Sequence, residues 1–114
     1  MADIKPFAAE STDYLAELGG IAQEDAEGLT KAQASYGNSW KQRGGVGAFM
    51  MLARKWDRME NRVARVGYDV FEAVIQDQRA EGVIDDIRDL RRYLMLVEAE
   101  LRARGFQATH RDNK

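Results

Sequence analysis

Apolar residues recur along this chain at the three-to-four-residue spacing of helices. Within 47–66, Phe49, Leu52, Trp56, Met59, Val63 and Val66 fall on one arc of a helical wheel. Within 83–103, Ile84, Ile87, Leu90, Leu94, Val97 and Leu101 do the same. Earlier, Tyr14, Leu18, Ile21, Leu29, Ala32 and Tyr36 form a stripe, which Gly19 and Gly20 are expected to break or kink. The glycine-rich, polar run "YGNSWKQRGGVG" (36–47) reads as a loop. "GYDVFE" offers Asp69 as a helix N-cap with Glu72 three residues on, a capping box. The helix it starts is expected to reach about residue 79, with Phe71, Val74 and Ile75 inward. No segment alternates in the manner of a strand. The pattern predicts an all-α fold, a four- to five-helix bundle in one domain spanning 1–114. Its ordered core would be about 10–104, with a loose tail at 105–114.

Two carboxylates disturb this pattern. Glu60 lies inside the apolar arc of 47–66, between Val63 and Ala53, with Asp57 one turn earlier on its edge. Arg54, Lys55, Arg58, Arg62 and Arg65 take the opposite face. In 83–103, Asp86 flanks the apolar arc beside Val97 and Tyr93, with Asp89 one turn away and Asp85 pointing further out. Each helix thus carries an acid pair at i, i+3, where side chains are surface neighbours. Buried, unpaired carboxylates are costly, and four together would repel. A divalent cation held between facing helices would relieve both problems. No Cys or His is at hand for a softer metal, so Mg²⁺ or Mn²⁺ is the expected ion. The alternative is purely structural. Asp85 and Asp86 sit in a first helical turn, where the dipole favours acids, and Glu60 would pair with an arginine of another helix.

Composition narrows the chemistry. At 114 residues and 45% hydrophobic content the chain fits one small domain, which self-association would help to stabilise. The net charge of -2 gives no sign of nucleic-acid binding by overall charge. There is no cysteine, so disulfide and thiol chemistry are excluded and a cytoplasmic setting is expected. No apolar run is long enough to span a membrane, and "MADIKPFAAE" lacks a signal core. The one histidine, His110, lies in the polar tail "THRDNK", which argues against histidine general-base chemistry.

The ordered acids resemble those of the MazG-like all-α nucleoside triphosphate pyrophosphohydrolases. Those proteins carry E-E-x-x-E, a spacer, then E-x-x-D on the next major helix. Here "WDRME" (56–60) is followed by 25 residues (61–85) and "DIRD" (86–89), with Trp56 replacing the first acid. "SYGNSW" (35–40), "RKWDRM" (54–59) and "IDDIRDLRRYL" (84–94) are similar to a phage-associated branch, the nucleotide-modification-associated domains. The resemblance covers roughly residues 29–101. It implies a dimeric or tetrameric helical bundle, and a phage protein working in the host cytoplasm. It also implies Mg²⁺-dependent hydrolysis between the α and β phosphates of a nucleotide, and leaves open whether its base is a modified one. Carried over, Asp57, Glu60, Asp86 and Asp89 would be metal ligands, with Glu60 or Asp86 also orienting or deprotonating the attacking water.

Around the expected loop, Lys31, Lys41 and Arg43 are candidates for phosphate contacts, and Tyr36 and Trp40 for stacking on a base. Plain solubility and packing are the competing roles. Gly44, Gly45 and Gly47 precede a helix start that would hold phosphate on backbone N–H groups, or serve as a flexible connector. Three functions follow: a nucleotide pyrophosphohydrolase, a non-catalytic nucleotide-binding or protein-interaction module, or phosphate contact through the basic face of Arg54, Arg58, Arg62 and Arg65.

Overall fold

The computed structural model describes residues 7–109; His110 and the end of the tail lie outside them. A 3₁₀ turn at Asp13–Glu17 leads into α1 (Leu18–Tyr36). A second 3₁₀ turn, Ser39–Lys41, precedes α2 (Gly44–Val63), which tightens into a third at Ala64–Val66. α3 (Val70–Gln76) and α4 (Val83–Ala103) follow. The fold is all-α, with no strand among the described residues, and none of these helices is long and apolar enough to cross a membrane. The chain divides into two compact units, Met1–Gly37 and Asn38–Lys114.

In the first unit α1 runs unbroken through Gly19 and Gly20, contrary to the expected break there. The change of winding falls one residue earlier, where the 3₁₀ turn passes into α1 at Leu18. Ile21, Leu29 and Ala32 are half-buried, whereas Tyr14, Leu18 and Tyr36 are exposed. Asp25 is fully buried, a position the apolar stripe did not point to.

In the second unit α2 begins three residues before the expected start and takes in the "GGVG" run. The glycines therefore fall in the first turn of the helix, which Gly44 enters with a left-handed φ of 72°, and not in a loop. Interior glycine costs helix stability, but the first turn has few intrahelical hydrogen bonds to lose. Gly47 has a packing reason as well: a Cβ there would lie 2.7 Å from the Cβ of Arg43. At the other end Gly67 adopts a left-handed φ of 69°, and the Tyr68 amide donates to the Val63 carbonyl at 2.9 Å. That closure releases the chain into a new direction.

Asp69 caps α3 as expected, accepting from the amides of Phe71 (3.0 Å) and Glu72 (3.1 Å). Glu72 does not return the bond; its carboxylate takes Gln76 at 2.7 Å instead. α3 ends at Gln76, and its inward face is Val70, Ala73 and Val74, while Phe71 and Ile75 stay exposed. The short helix is therefore turned one residue from the predicted orientation. α4 has the predicted limits. Asp85 closes its first turn by accepting from the Gly82 amide at 2.8 Å.

Three ion pairs show that α4 runs antiparallel to α2: Arg58 with Asp86, Lys55 with Asp89, and Lys41 (just before α2) with Glu100. The apolar core is small. Val63, Ala73 and Val83 are buried where α2 ends and α4 begins, ringed by Met59, Val66, Val70, Val74 and Ile87. With so few large buried side chains, each helix-end contact is a sizeable share of stability. Asp69→Ala is expected to cost about 1 kcal/mol, read as a lower urea midpoint at unchanged slope.

Candidate functional site

The four acids of the resemblance do not gather. Asp86 is buried, and its Oδ1 lies 3.0 Å from Arg58 Nε. Its Oδ2 accepts no hydrogen bond, and the nearest cation there is Arg79 at 3.6 Å. Asp89 is held by Lys55 (3.0 Å) and Arg88 (3.1 Å). Asp57 and Glu60 are exposed and belong to no ion pair among the described residues. Among the described residues no three carboxylates or histidines come together as a metal-holding group.

This corrects the wheel reading of α2. Glu60 points to solvent, and Lys55 and Arg58, expected on the outer face, reach α4. The cause is the cost of the α4 acids. A buried carboxylate without a counter-charge is far less favourable than an exposed phenylalanine. α2 therefore turns its basic edge toward Asp86 and Asp89, and its opposite apolar edge, Phe49 and Trp56, moves into solvent. The aliphatic stems of lysine and arginine pack as apolar surface on the way.

A second network lies in the segment between α3 and α4, which sequence reasoning assigned partly to α3. Asp77 accepts from Arg79 at 2.7 Å (side chain) and 3.1 Å (amide), and from the Val83 amide at 2.8 Å. It therefore caps α4 from six residues upstream. Its hydrogen bonds from Arg79 hold its carboxyl well below the usual carboxylate range, and Asp77 in turn raises the Arg79 guanidinium. For Asp89 burial pushes the carboxyl up, but hydrogen bonds from Lys55 and Arg88 outweigh it and the net direction is down. Glu100 is lowered by its bonds from Lys41 and Arg104.

The outer side of α2 forms an open groove of about 790 Å³. Arg54, Arg58, Arg62, Arg65 and Arg79 line it, with Met50, Met51 and Ala53 as its apolar part and Asp57 as its one carboxylate. Arg58 and Arg79 are tethered by Asp86 and Asp77. Among the described residues Arg54, Arg62 and Arg65 have no carboxylate partner, and Asn61 accepts from Arg65 at 3.2 Å. Each helical turn thus directs a guanidinium to the same side. This is the concentration of cations that the i, i+4 and i, i+7 spacing of arginines encoded, although the resemblance drew the site around the acids.

The other candidates are scattered. Trp40 and Lys41 line a separate cleft of about 300 Å³, where α2 begins and α4 ends. Lys41 is committed to Glu100 at 2.6 Å. Arg43 precedes α2 and is exposed. Lys31 and Tyr36 are exposed residues of the first unit. Tyr93 is half-buried on α4. Comparison with known protein families, curated proteins and solved structures found no match.

Two outcomes are expected. Arg58→Ala leaves buried Asp86 with only the more distant Arg79, and unfolding should become easier by about 2–3 kcal/mol in urea titration. Asp77, Asp89 and Glu100 all have folded pKa values below their unfolded ones. The unfolded chain then takes up protons first as pH falls. Their stabilisation is present above the ordinary carboxylate range and lost below it. The thermal midpoint should hold between about pH 8 and 5 and fall below about pH 4, less steeply in Asp77→Asn.

Proposed function

We propose that this chain is a nucleotide-binding protein of the MazG-like all-α kind, holding the phosphates of a nucleotide in the arginine groove of α2. The observation that carries this reading is the set of arginines, Arg54, Arg62 and Arg65, that line one open groove with no carboxylate partner among the described residues. Planar guanidinium forks suit phosphate oxygens, and an arginine without a carboxylate partner gives up no ion pair to bind one. Met50, Met51 and Ala53 supply apolar surface beside them for a sugar or base.

The same groove supports a narrower second reading, Mg²⁺-dependent pyrophosphohydrolysis. Mg²⁺ needs only one or two protein carboxylates when substrate phosphates complete its shell. Asp57 lines the groove and Glu60 is one turn away, both without an ion pair among the described residues. With the ion bound, they would hold it against the phosphates, where it lowers the pKa of a water. Attack at the α-phosphorus would break its bond to the bridging oxygen and leave a monophosphate and pyrophosphate. Asp86 and Asp89 take no part in this version, since joining it would strip Arg58 and Lys55 of their partners. The roles left to them are structural.

Calorimetric titration with nucleoside triphosphates, with and without Mg²⁺, tests both readings. Binding is expected to weaken at least tenfold in the double variant Arg54→Ala/Arg65→Ala, whose fold circular dichroism checks, and to weaken with added salt. Wild-type-like binding in that variant would remove the groove from the account. Chromatography of the products decides the second reading. Monophosphate formation that needs Mg²⁺ and is lost in Asp57→Ala supports it, and unchanged triphosphate removes it.

A further inference from the structure

We infer that Arg58 exchanges Asp86 for a ligand phosphate, and that Arg79 then takes its place on Asp86. The groove thereby adds Arg58 to Arg54, Arg62 and Arg65 only when it is occupied. The inference rests on the phosphate reading of the groove and adds to it one binding residue, Arg58, and one positioning residue, Arg79. Arg58, Arg79, Asp77 and Asp86 all belong to the second unit.

Arg58 has the right place on α2. It stands between Arg54 and Arg62, four residues or about 6 Å of helix from each, and lines the groove with both. A phosphate chain that joins Arg54 to Arg62 passes over it. Without a ligand, however, Arg58 is held. Its Nε lies 3.0 Å from Asp86 Oδ1, and its Nη2 donates to the Glu81 carbonyl at 3.3 Å. Asp86 is 1% exposed, and a carboxylate so deeply buried is very costly without a cation. Arg58 is therefore available to a ligand only if another cation reaches Asp86.

Arg79 is placed to be that cation. The Oδ2 atom of Asp86 is buried and accepts no hydrogen bond among the described residues, and Arg79 Nη2 stands 3.6 Å from it. A charge-assisted bond forms at about 2.9 Å, so about 0.7 Å of travel closes the gap. Nη2 carries two hydrogens, so it can serve Asp86 while still near Asp77 Oδ2, now 2.7 Å away. Asp77 tolerates the shift. It also accepts from the Arg79 amide at 3.1 Å and the Val83 amide at 2.8 Å, and neither bond depends on where the guanidinium points. Gly82 packs against the same carboxylate, where a Cβ would lie 3.0 Å from Oδ2. Backbone amides thus seat Asp77 and keep its charge compensated. A carboxylate with one oxygen held and the other idle beside a second arginine is arranged for exchange, since its partner can change without the charge being bared.

Calorimetric titration with inorganic triphosphate, in a cycle of Arg79→Gln and Asp86→Asn, tests the exchange. Arg79→Gln leaves no replacement for Arg58 and should weaken binding roughly tenfold. Asp86→Asn removes the charge that holds Arg58 and should tighten binding roughly threefold. With Asp86→Asn in place, Arg79→Gln should cost nothing further. A purely structural role for Arg79 would not give that non-additivity. A loss in Arg79→Gln that persists undiminished beside Asp86→Asn means that Arg79 itself touches the ligand, and overturns the exchange. So does wild-type affinity in Arg79→Gln. The wild-type chain gives a check in which no variant has to fold. On adding triphosphate the Nε–H resonances of both Arg58 and Arg79 should shift, and an unmoved Arg58 overturns the inference. In each of these failures the groove still stands on Arg54 and Arg65. Triphosphate binding that Arg54→Ala/Arg65→Ala leaves untouched removes the groove and the exchange together.

Discussion

The ion pairs between α2 and α4 fix most of what surrounds them. Arg58 meets Asp86, Lys55 meets Asp89, and Lys41 meets Glu100, in antiparallel order. The Arg58 pair is the most demanding because Asp86 is buried. Removing one member of such a pair costs much more than the pair adds over an apolar substitute. Its effect is therefore on register and rotation. It sets which edge of α2 faces α4, and so decides that the arginines crowd one outer side while Phe49 and Trp56 stand on the other.

Two surfaces result from that rotation, and they differ in kind. The arginine side gathers positive charge around a groove with a single exposed carboxylate, Asp57. The apolar side holds large side chains that a small domain can ill leave in water. Asp77 links the two ends of this arrangement locally: it caps α4 and holds Arg79 at the groove's margin.

Local signals in the sequence were read well where they are self-contained. The limits of α4 follow from a continuous apolar period, and the Asp69 cap from a residue type that has few other uses at that spot. The rotation of α2 was not legible. A helical wheel ranks lysine and arginine as outward, yet their stems pack like hydrocarbon and their heads seek buried acids on another helix. The Asp77 cap was missed because the helix of α3 was extended across it, and a cap reaching six residues forward has no short-range signature. The "GGVG" loop was a propensity argument that a helical first turn and the contact of Gly47 with Arg43 overrode. As for the candidate site, of the four acids only Asp86 is buried, while Asp57 and Glu60 stand exposed. Their spacing along each helix could not show that Asp86 and Asp89 already had cations opposite them.

The central claim is that the acids of α4 are committed to α2 and that the anion site is the arginine side of α2. Nuclear magnetic resonance of isotope-labelled protein tests it most directly, by titrating Mg²⁺ alone and then a nucleoside triphosphate. The account predicts that Mg²⁺ alone leaves the Asp86 and Asp89 carboxyl signals in place. The triphosphate should then shift Arg54, Asp57 and Arg65, and leave Trp40 unmoved. Joint movement of Asp57, Glu60, Asp86 and Asp89 on adding Mg²⁺ alone would contradict it, since that requires a four-carboxylate cage in place of the ion pairs.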